Sequence, residues 1–366
     1  MLFDPKAHEP LRGGSWDVRA ARRTIDDIVR DTLASFNGRA WPGPDGDVGE
    51  GVYSGAAGVV YSLRVLGAGP PLSAQAQLAE ASNETFMSGA LGVGLVAFGD
   101  GADVADRVEA AARAMIASGE NELCSGAAGA VVAGMHLFDA TRDERWARVV
   151  AAGVEALWSS WAFDRGLRAC IWTQQRADGT RRFLGAAHGL AGNVHALLRA
   201  APLQSPDHQR ELLDRTVETL TRTAVRERGA ANWPDRVDRP DPRPRVQWCH
   251  GAPGIVIALA DAPRHRALDT LLVEGGELTW QAGPLRKGYG LCHGTAGNGF
   301  AFLKLHRRTR DAKWLDRARR FGMHAIAQYE ARSAGHYTLF TGDVGLALYL
   351  RACIEVDERF PLLDVL

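Results

Sequence analysis

Apolar runs of helical length recur along this chain, and each opens on a pair of glycines. Seven Gly-x-x-Gly units stand at Gly55–Gly58, Gly89–Gly92, Gly126–Gly129, Gly189–Gly192, Gly251–Gly254, Gly294–Gly297 and Gly342–Gly345. In so glycine-rich a chain roughly four or five such matches arise by chance, so the context carries the argument. The units lead into runs such as GVVYSLRVL (58–66), GAVVAGMHLF (129–138), GNVHALLRA (192–200), GIVIALA (254–260), GNGFAFLKL (297–305) and GLALYLRACI (345–354). Between them lie charged segments with helical periodicity, 17–36, 72–82, 103–118, 143–161, 208–228, 264–281 and 312–331. The alternation predicts seven helix pairs in which a charged amphipathic helix precedes an apolar one, as in the outer and inner layers of a closed ring. Glycine at each apolar start predicts close backbone approach and helix N-termini left uncovered toward the ring's axis, where they favour anions and thiolates.

The spacing breaks twice. Successive units begin 34 to 48 residues apart except from Gly126 to Gly189 and from Gly189 to Gly251, where the gap is near 60. The stretch 162–188 alternates apolar residues around an Asp178-Gly179 turn signal and predicts a short hairpin. The stretch 232–247 carries four prolines and predicts an extended loop. No linker divides the chain, so a single domain over 1–366 is expected.

Composition narrows the function classes. At 46% hydrophobic and 23% charged the chain is ordinary globular sequence, and 43 basic residues balance 43 acidic ones, which leaves no global field to recruit nucleic acid. Asp4 and Lys6 interrupt any apolar signal core, and the longest uncharged run found, Leu123 to Phe138, is 16 residues with three glycines, short of a bilayer span. A cytosolic protein without a transmembrane segment is expected. Five cysteines without framework spacing favour reduced thiols or metal ligation over disulfides.

Two units differ from the rest. A Cys-His pair stands directly before the glycine in Trp248-Cys249-His250-Gly251 and in Leu291-Cys292-His293-Gly294, and a histidine alone in Ala187-His188-Gly189. In a closed ring these equivalent positions face one cavity. Zinc favours thiolate and imidazole, and a catalytic site commonly keeps three protein ligands and one open position, which two cysteines and one histidine would fill. A single cysteine is more often a small buried residue, but two Cys-His-Gly repeats in register reverse that balance. His250 reads more readily as a cavity wall than as a ligand.

The segment LRKGYGLCHGTAGNGFAFLKLHRRTRDAKWLDRA (285–318), the block VQWCHGAPGIV (246–256) and the ending ERFP (358–361) resemble the LanC-like proteins, relatives of the lanthipeptide cyclases. The resemblance implies an all-α fold, an α/α toroid of seven inner and seven outer helices, and zinc on Cys249, Cys292 and His293. It implies that His188 is the acid/base, that Glu122 stands where cyclases carry Asp, that Arg245 is the basic residue before the first zinc cysteine, and that Lys287 contacts glutathione. Glu122 reads equally as a cap for the helix starting near Gly126, Arg245 sits in a proline-rich, charge-rich loop where surface arginines are common, and a lysine placed as Lys287 is more often a solvated surface residue.

The implied chemistry is addition of a zinc-activated thiol to dehydroalanine or dehydrobutyrine, giving a thioether, with a dehydrated peptide or protein as substrate. His250 in WCHG leans toward glutathione as the thiol donor. Three other readings stand beside this one: a lanthipeptide cyclase using a peptide cysteine, a non-catalytic zinc-stabilised scaffold that binds glutathione or a protein, and an α/α-barrel glycosidase. The last would need paired carboxylates at the repeat starts and would leave the Cys-His motifs without a purpose.

Overall fold

The computed structural model describes residues 1–43, 46–176 and 179–366. Fourteen α-helices occur among them, in chain order α1 (Val18–Ala34), α2 (Ala56–Val65), α3 (Ala74–Glu80), α4 (Ala90–Gly99), α5 (Ala105–Ala117), α6 (Ala127–Thr141), α7 (Glu144–Ser160), α8 (Leu190–Arg199), α9 (Pro206–Thr223), α10 (Ala252–Leu259), α11 (Arg266–Ala282), α12 (Thr295–Thr309), α13 (Ala312–Glu330) and α14 (Asp343–Glu355). The odd-numbered helices are the charged series and the even-numbered ones the glycine-opened series. The predicted seven pairs are therefore present.

The two series start differently. Five charged helices have polar N-caps, Asp17, Ser73, Asp143, Ser205 and Asp311, whose side-chain oxygens accept amides of the first turn. Every glycine-opened helix has glycine at the N-cap and no side-chain cap. Their N-termini are nevertheless covered, which corrects the expectation of open helix ends. In six of the seven, the first helical amide donates to the carbonyl seven residues earlier: Ala56 to Gly49 at 2.7 Å, Ala90 to Asn83 at 2.8 Å, Ala127 to Glu120 at 2.8 Å, Leu190 to Phe183 at 3.0 Å, Thr295 to Gly288 at 2.9 Å and Asp343 to His336 at 2.7 Å. A loop of constant length thus wraps over each helix start and satisfies donors that would otherwise be orphaned. The wrapping is why the N-cap must be glycine: a Cβ on Gly294 would lie 2.2 Å from the Gly290 nitrogen.

The chain divides into two compact units. One comprises Met1–Asp4 and Glu109–Ala282, the other Pro5–Val108 and Gly283–Leu366, the division falling within α5. In the first, α6 packs on α7 and α8, and α10 on α8 and α11. In the second, α12 packs on α13 and α14, and α14 on α1 and α2. Helix α6 is buried from Ala127 to Leu137 on every side, as a glycine-opened apolar run should be. Each fully buried Val or Leu in such a run contributes about 1.5–3 kcal/mol. In the second unit Lys304 of α12, 1% exposed, pairs at 2.9 Å with Asp364, 8% exposed, and fastens the last residues to the helix.

The insertions follow the spacing breaks, with one difference. The stretch 162–188 forms two hairpins, β3 (Ala162–Asp164) with β4 (Ala169–Ile171) and β5 (Gln174–Arg176) with β6 (Gly179–Arg181), where one was expected. Asp178 of the predicted turn lies outside the described residues. The segment predicted helical over 208–228 leaves the helix at Thr223 and turns into a hairpin, β7 (Val225–Glu227) with β8 (Ala230–Asn232). Arg228 at φ 49° and Gly229 at φ 77° form its two-residue turn. The proline-rich stretch after Asn232 is loop, as expected.

Candidate metal and acid/base centre

In the first unit, the loop before α6 places Glu122 with no exposed surface. One carboxylate oxygen accepts Nδ1 of His188 at 2.7 Å and the Cys124 amide at 3.2 Å, and the other takes both the amide and the hydroxyl of Ser125. Glu122 is thus not a cap on α6 but the anchor of its own loop and the orienter of His188. Burial pushes its carboxyl up, yet the hydrogen bond and charge of His188, with the Ser125 donors, hold it below the ordinary range. His188 itself is 41% exposed at its side chain, so an ordered imidazole reaches solvent with Nδ1 committed to a carboxylate. The structure brings these two residues, named separately from the sequence, into direct contact.

Cys124, which the sequence reading passed over, stands beside them. Ligand atoms of Glu122, Cys124 and His188 all lie within 4.8 Å of one another. Four donors already occupy the Glu122 carboxylate, which suits an acid/base pair better than a metal ligand.

The loop before α10 carries Cys249, 8% exposed, and His250, 9% exposed. Gln247 donates its side-chain amide to the Cys249 sulfur at 2.9 Å. The His250 ring lies 6.0 Å from that of His188 and 5.8 Å from Phe183, and burial lowers its pKa. Arg245 is 52% exposed at its side chain and ion-paired with Asp235, so its guanidinium is anchored on a carboxylate.

This loop departs from the other six at its closure. Gly251 sits at φ +102°, where L side chains rarely go, and a Cβ there would meet the Arg245 carbonyl at 2.0 Å. Ala252, the first helical residue, donates not to the Arg245 carbonyl but to Oδ1 of Asn232 at 2.9 Å. Nδ2 of the same asparagine donates to that Arg245 carbonyl at 3.1 Å and to the Leu2 carbonyl at 2.7 Å. Nothing in the sequence signalled Asn232, an ordinary residue at the edge of a proline-rich loop.

In the second unit, the loop before α12 carries Cys292, 4% exposed, beside the half-buried His293. The Cys292 amide donates to the Phe340 carbonyl at 2.8 Å, and Tyr289 donates its hydroxyl to the buried Asp343 at 2.5 Å. Burial, with the charge of Asp343, pushes the Tyr289 phenol far up, so it remains a donor. Lys287 is exposed, without a hydrogen-bond or ion-pair partner for its ammonium among the described residues.

Donors suited to a metal are present in each unit: the Glu122 group and the Cys249 thiol in the first, the Cys292 thiol and the His293 imidazole in the second. The two thiols and the His293 imidazole are the softer donors, the kind that zinc prefers. Burial pushes the Cys353 thiol up to about 12 and raises that of Cys170.

Comparison with known proteins places this arrangement. The profile of the lanthionine synthetase C-like proteins matches residues 16–365. The LanC-like protein GCL1 of Arabidopsis thaliana is 35% identical over 201 residues, which cover 51% of this chain and 44% of that protein. Glutathione S-transferase LANCL1 of Danio rerio is 32% identical over 195 residues, covering 50% of this chain and 46% of that protein. The matched stretch spans less than half the length of either relative. Nisin cyclase superposes with a TM-score of 0.64 at 17% identity, covering 91% of this chain and 93% of the cyclase, which shows the fold to be the α/α toroid. No helix among the described residues is long and apolar enough to cross a membrane. On the strength of the profile match along nearly its whole length, the chain belongs to the lanthionine synthetase C-like family.

Proposed function

We propose that Cys249, Cys292 and His293 hold one zinc ion and that the protein adds a thiol, glutathione in the first instance, across the double bond of dehydroalanine or dehydrobutyrine residues in a peptide or protein. The observation that carries this reading is the His188–Glu122 pair in the unit that also carries Cys249. A purely structural zinc site has no use for a solvent-reaching imidazole held at 2.7 Å by a buried carboxylate. The relative named a glutathione S-transferase supports the choice of thiol. Two buried thiols and an imidazole would fit the metal and would leave a fourth position for substrate. Zinc so held supplies a lowered pKa to a thiol at that position, yielding a nucleophile near neutral pH.

The chain's own residues do the rest. As sulfur bonds to the β-carbon, the π electrons move to an enolate at the neighbouring carbonyl, and a proton must reach the α-carbon. His188, tied at Nδ1 to Glu122, delivers that proton from its other nitrogen and recovers one from the incoming thiol, so the cycle closes without net proton change. Glu122 keeps the imidazole oriented and favours its charged form. Arg245, already paired with Asp235, lends positive charge beside His250, and Lys287 offers an unpaired ammonium to a glutathione carboxylate.

The likeness to nisin cyclase favours a second reading, in which the thiol is a cysteine of the dehydrated peptide itself. One experiment separates the two. Purified protein carries about one equivalent of zinc, lost in Cys292→Ala, and with glutathione converts a dehydroalanine peptide to the adduct seen by mass spectrometry. No adduct, with cyclisation of a cysteine-containing dehydrated peptide, would establish the cyclase. Metal-free protein with full activity would sink both.

A further inference from the structure

The seven glycine-opened helices supply an internal comparison that points to one residue. Six loops close by a direct hydrogen bond from the first helical amide to the carbonyl seven residues before it, at 2.7 to 3.0 Å. At the seventh, the corresponding partners are the Ala252 amide and the Arg245 carbonyl, and the Asn232 carboxamide stands between them, accepting from one at 2.9 Å and donating to the other at 3.1 Å. The orientation of that carboxamide is fixed, because turning it over would set its NH2 against the Ala252 amide and its oxygen against two carbonyls. Asn232 is fully buried, and its remaining N–H goes to the Leu2 carbonyl at 2.7 Å, so all its hydrogen-bonding groups are engaged.

The Asn232 side chain thus takes the place of the direct closing bond. The loop so bridged holds residues 246–251, with Cys249 near its centre, and it is the only one of the seven whose N-cap glycine has a left-handed φ, +102°. The equivalent cysteine loop before α12 closes directly, from Thr295 to Gly288 at 2.9 Å. Two Cys-His-Gly motifs identical in sequence are thus built with different backbones, and the difference traces to an asparagine on β8, 17 residues before Cys249 in the chain.

From this comparison we infer that Asn232 is a positioning residue for Cys249: it bridges the closure of this loop, sets its backbone apart from the other six and thereby aims the first of the two thiols assigned to zinc. The inference rests on the zinc reading for its consequence but not for its geometry. Removal of Asn232 leaves the Arg245 carbonyl and the Ala252 amide without their bridge. The loop must then either close directly, as its six counterparts do, or fray, and both outcomes move Cys249 while leaving the Cys292 loop as it was.

The test uses full-length protein and reads the two cysteines against each other. In metal-stripped Asn232→Ala, alkylation of Cys249 by iodoacetamide, followed by peptide mass spectrometry, should change about tenfold or more relative to Cys292. Chelator competition on the zinc-loaded form should show affinity weakened about 10- to 100-fold, as for loss of a group that orients a ligand. Lys304→Met, which breaks the buried pair with Asp364 and leaves Asn232 and its partners in place, serves as the stability control and should leave both readings within about twofold of wild type. Asn232→Asp keeps the acceptor and loses the donors, and it decides the matter by the same readings should the alanine variant be insoluble. Cys249 alkylated at the wild-type ratio in the Asn232 variants would overturn the inference, as would equal changes in the Lys304 control. A wild-type protein that binds no zinc would refute the metal reading alone, and the labelling ratio would still decide the role of Asn232.

Discussion

Glu122 and His188 show what a residue's neighbours add to its identity. The spacing of Glu122 from its glycine fitted a helix cap as well as it fitted chemistry, and only the tertiary contact separates them: the carboxylate turns away from the α6 amides beyond Ser125 and takes His188 at 2.7 Å. The contact crosses 66 positions, a distance that helical periodicity cannot bridge. The candidate metal ligands stand out in the sequence because Cys-His-Gly occurs twice in register, whereas Cys124, Ser125, Gln247 and Asn232 do not, because each is aimed by a loop rather than by a repeat. Glu122→Gln keeps an oxygen for Nδ1 and removes the charge that favours the imidazolium. It should retain zinc while turnover falls about a hundredfold, the scale of a lost general acid. A mass-spectrometric rate assay with zinc measured on the same sample checks this, and unchanged turnover would remove the pair from the mechanism.

At the scale of elements, the alternation of charged and apolar runs located all fourteen helices, because glycine at a helix start and a two-sided apolar face are local signals. Where the reading failed, a local rule was overridden. The helix expected to continue to 228 ends at Thr223, since Arg228 and Gly229 adopt positive φ and reverse the chain into β7–β8, which in turn carries Asn232 to its place. The uncovered helix ends failed for another reason: sequence marks the glycine but not the loop it admits. Elements are also fastened by pairs invisible to pattern, of which Lys304–Asp364 is the clearest, its lysine buried to 1% within the run GNGFAFLKL of α12. Lys304→Met removes the ammonium from a carboxylate that is only 8% exposed at its side chain, and breaking such a buried pair costs about 3–5 kcal/mol. Chemical denaturation should show the midpoint lowered with helical content intact in the folded state, and a shift below about 1 kcal/mol would mean that water replaces the ammonium.

Across the whole molecule, stability should depend on pH through a buried histidine that no motif contains. His324 of α13, 1% exposed, accepts the Arg12 amide at Nδ1 at 2.9 Å and therefore carries its proton on Nε2, which donates to Glu9 at 2.8 Å. Gln328 joins them, donating to both Glu9 and the Leu285 carbonyl at 2.8 Å and accepting the hydroxyl of Thr295 at 2.8 Å, so the residues from Pro5 to Arg12 are tied to the start of α12. A second proton on His324 would point Nδ1–H at the Arg12 amide and break that tie. Burial lowers the His324 pKa from its ordinary 6.5, and the hydrogen bond and charge of Glu9 only partly oppose it. Since the unfolded chain then binds the proton more readily than the folded one, the stabilisation is complete above about pH 6.5 and declines as the pH falls toward the lower folded value. Glu9, held below its ordinary value despite burial by His324 and Gln328, extends the loss further into acid. Urea denaturation at pH 7.5 and 5.5 should thus show wild type losing stability on acidification and His324→Asn losing measurably less, because the variant has no proton to take up at this position. Parallel losses in the two proteins would place the acid sensitivity elsewhere and reduce the Glu9–His324 pair to packing.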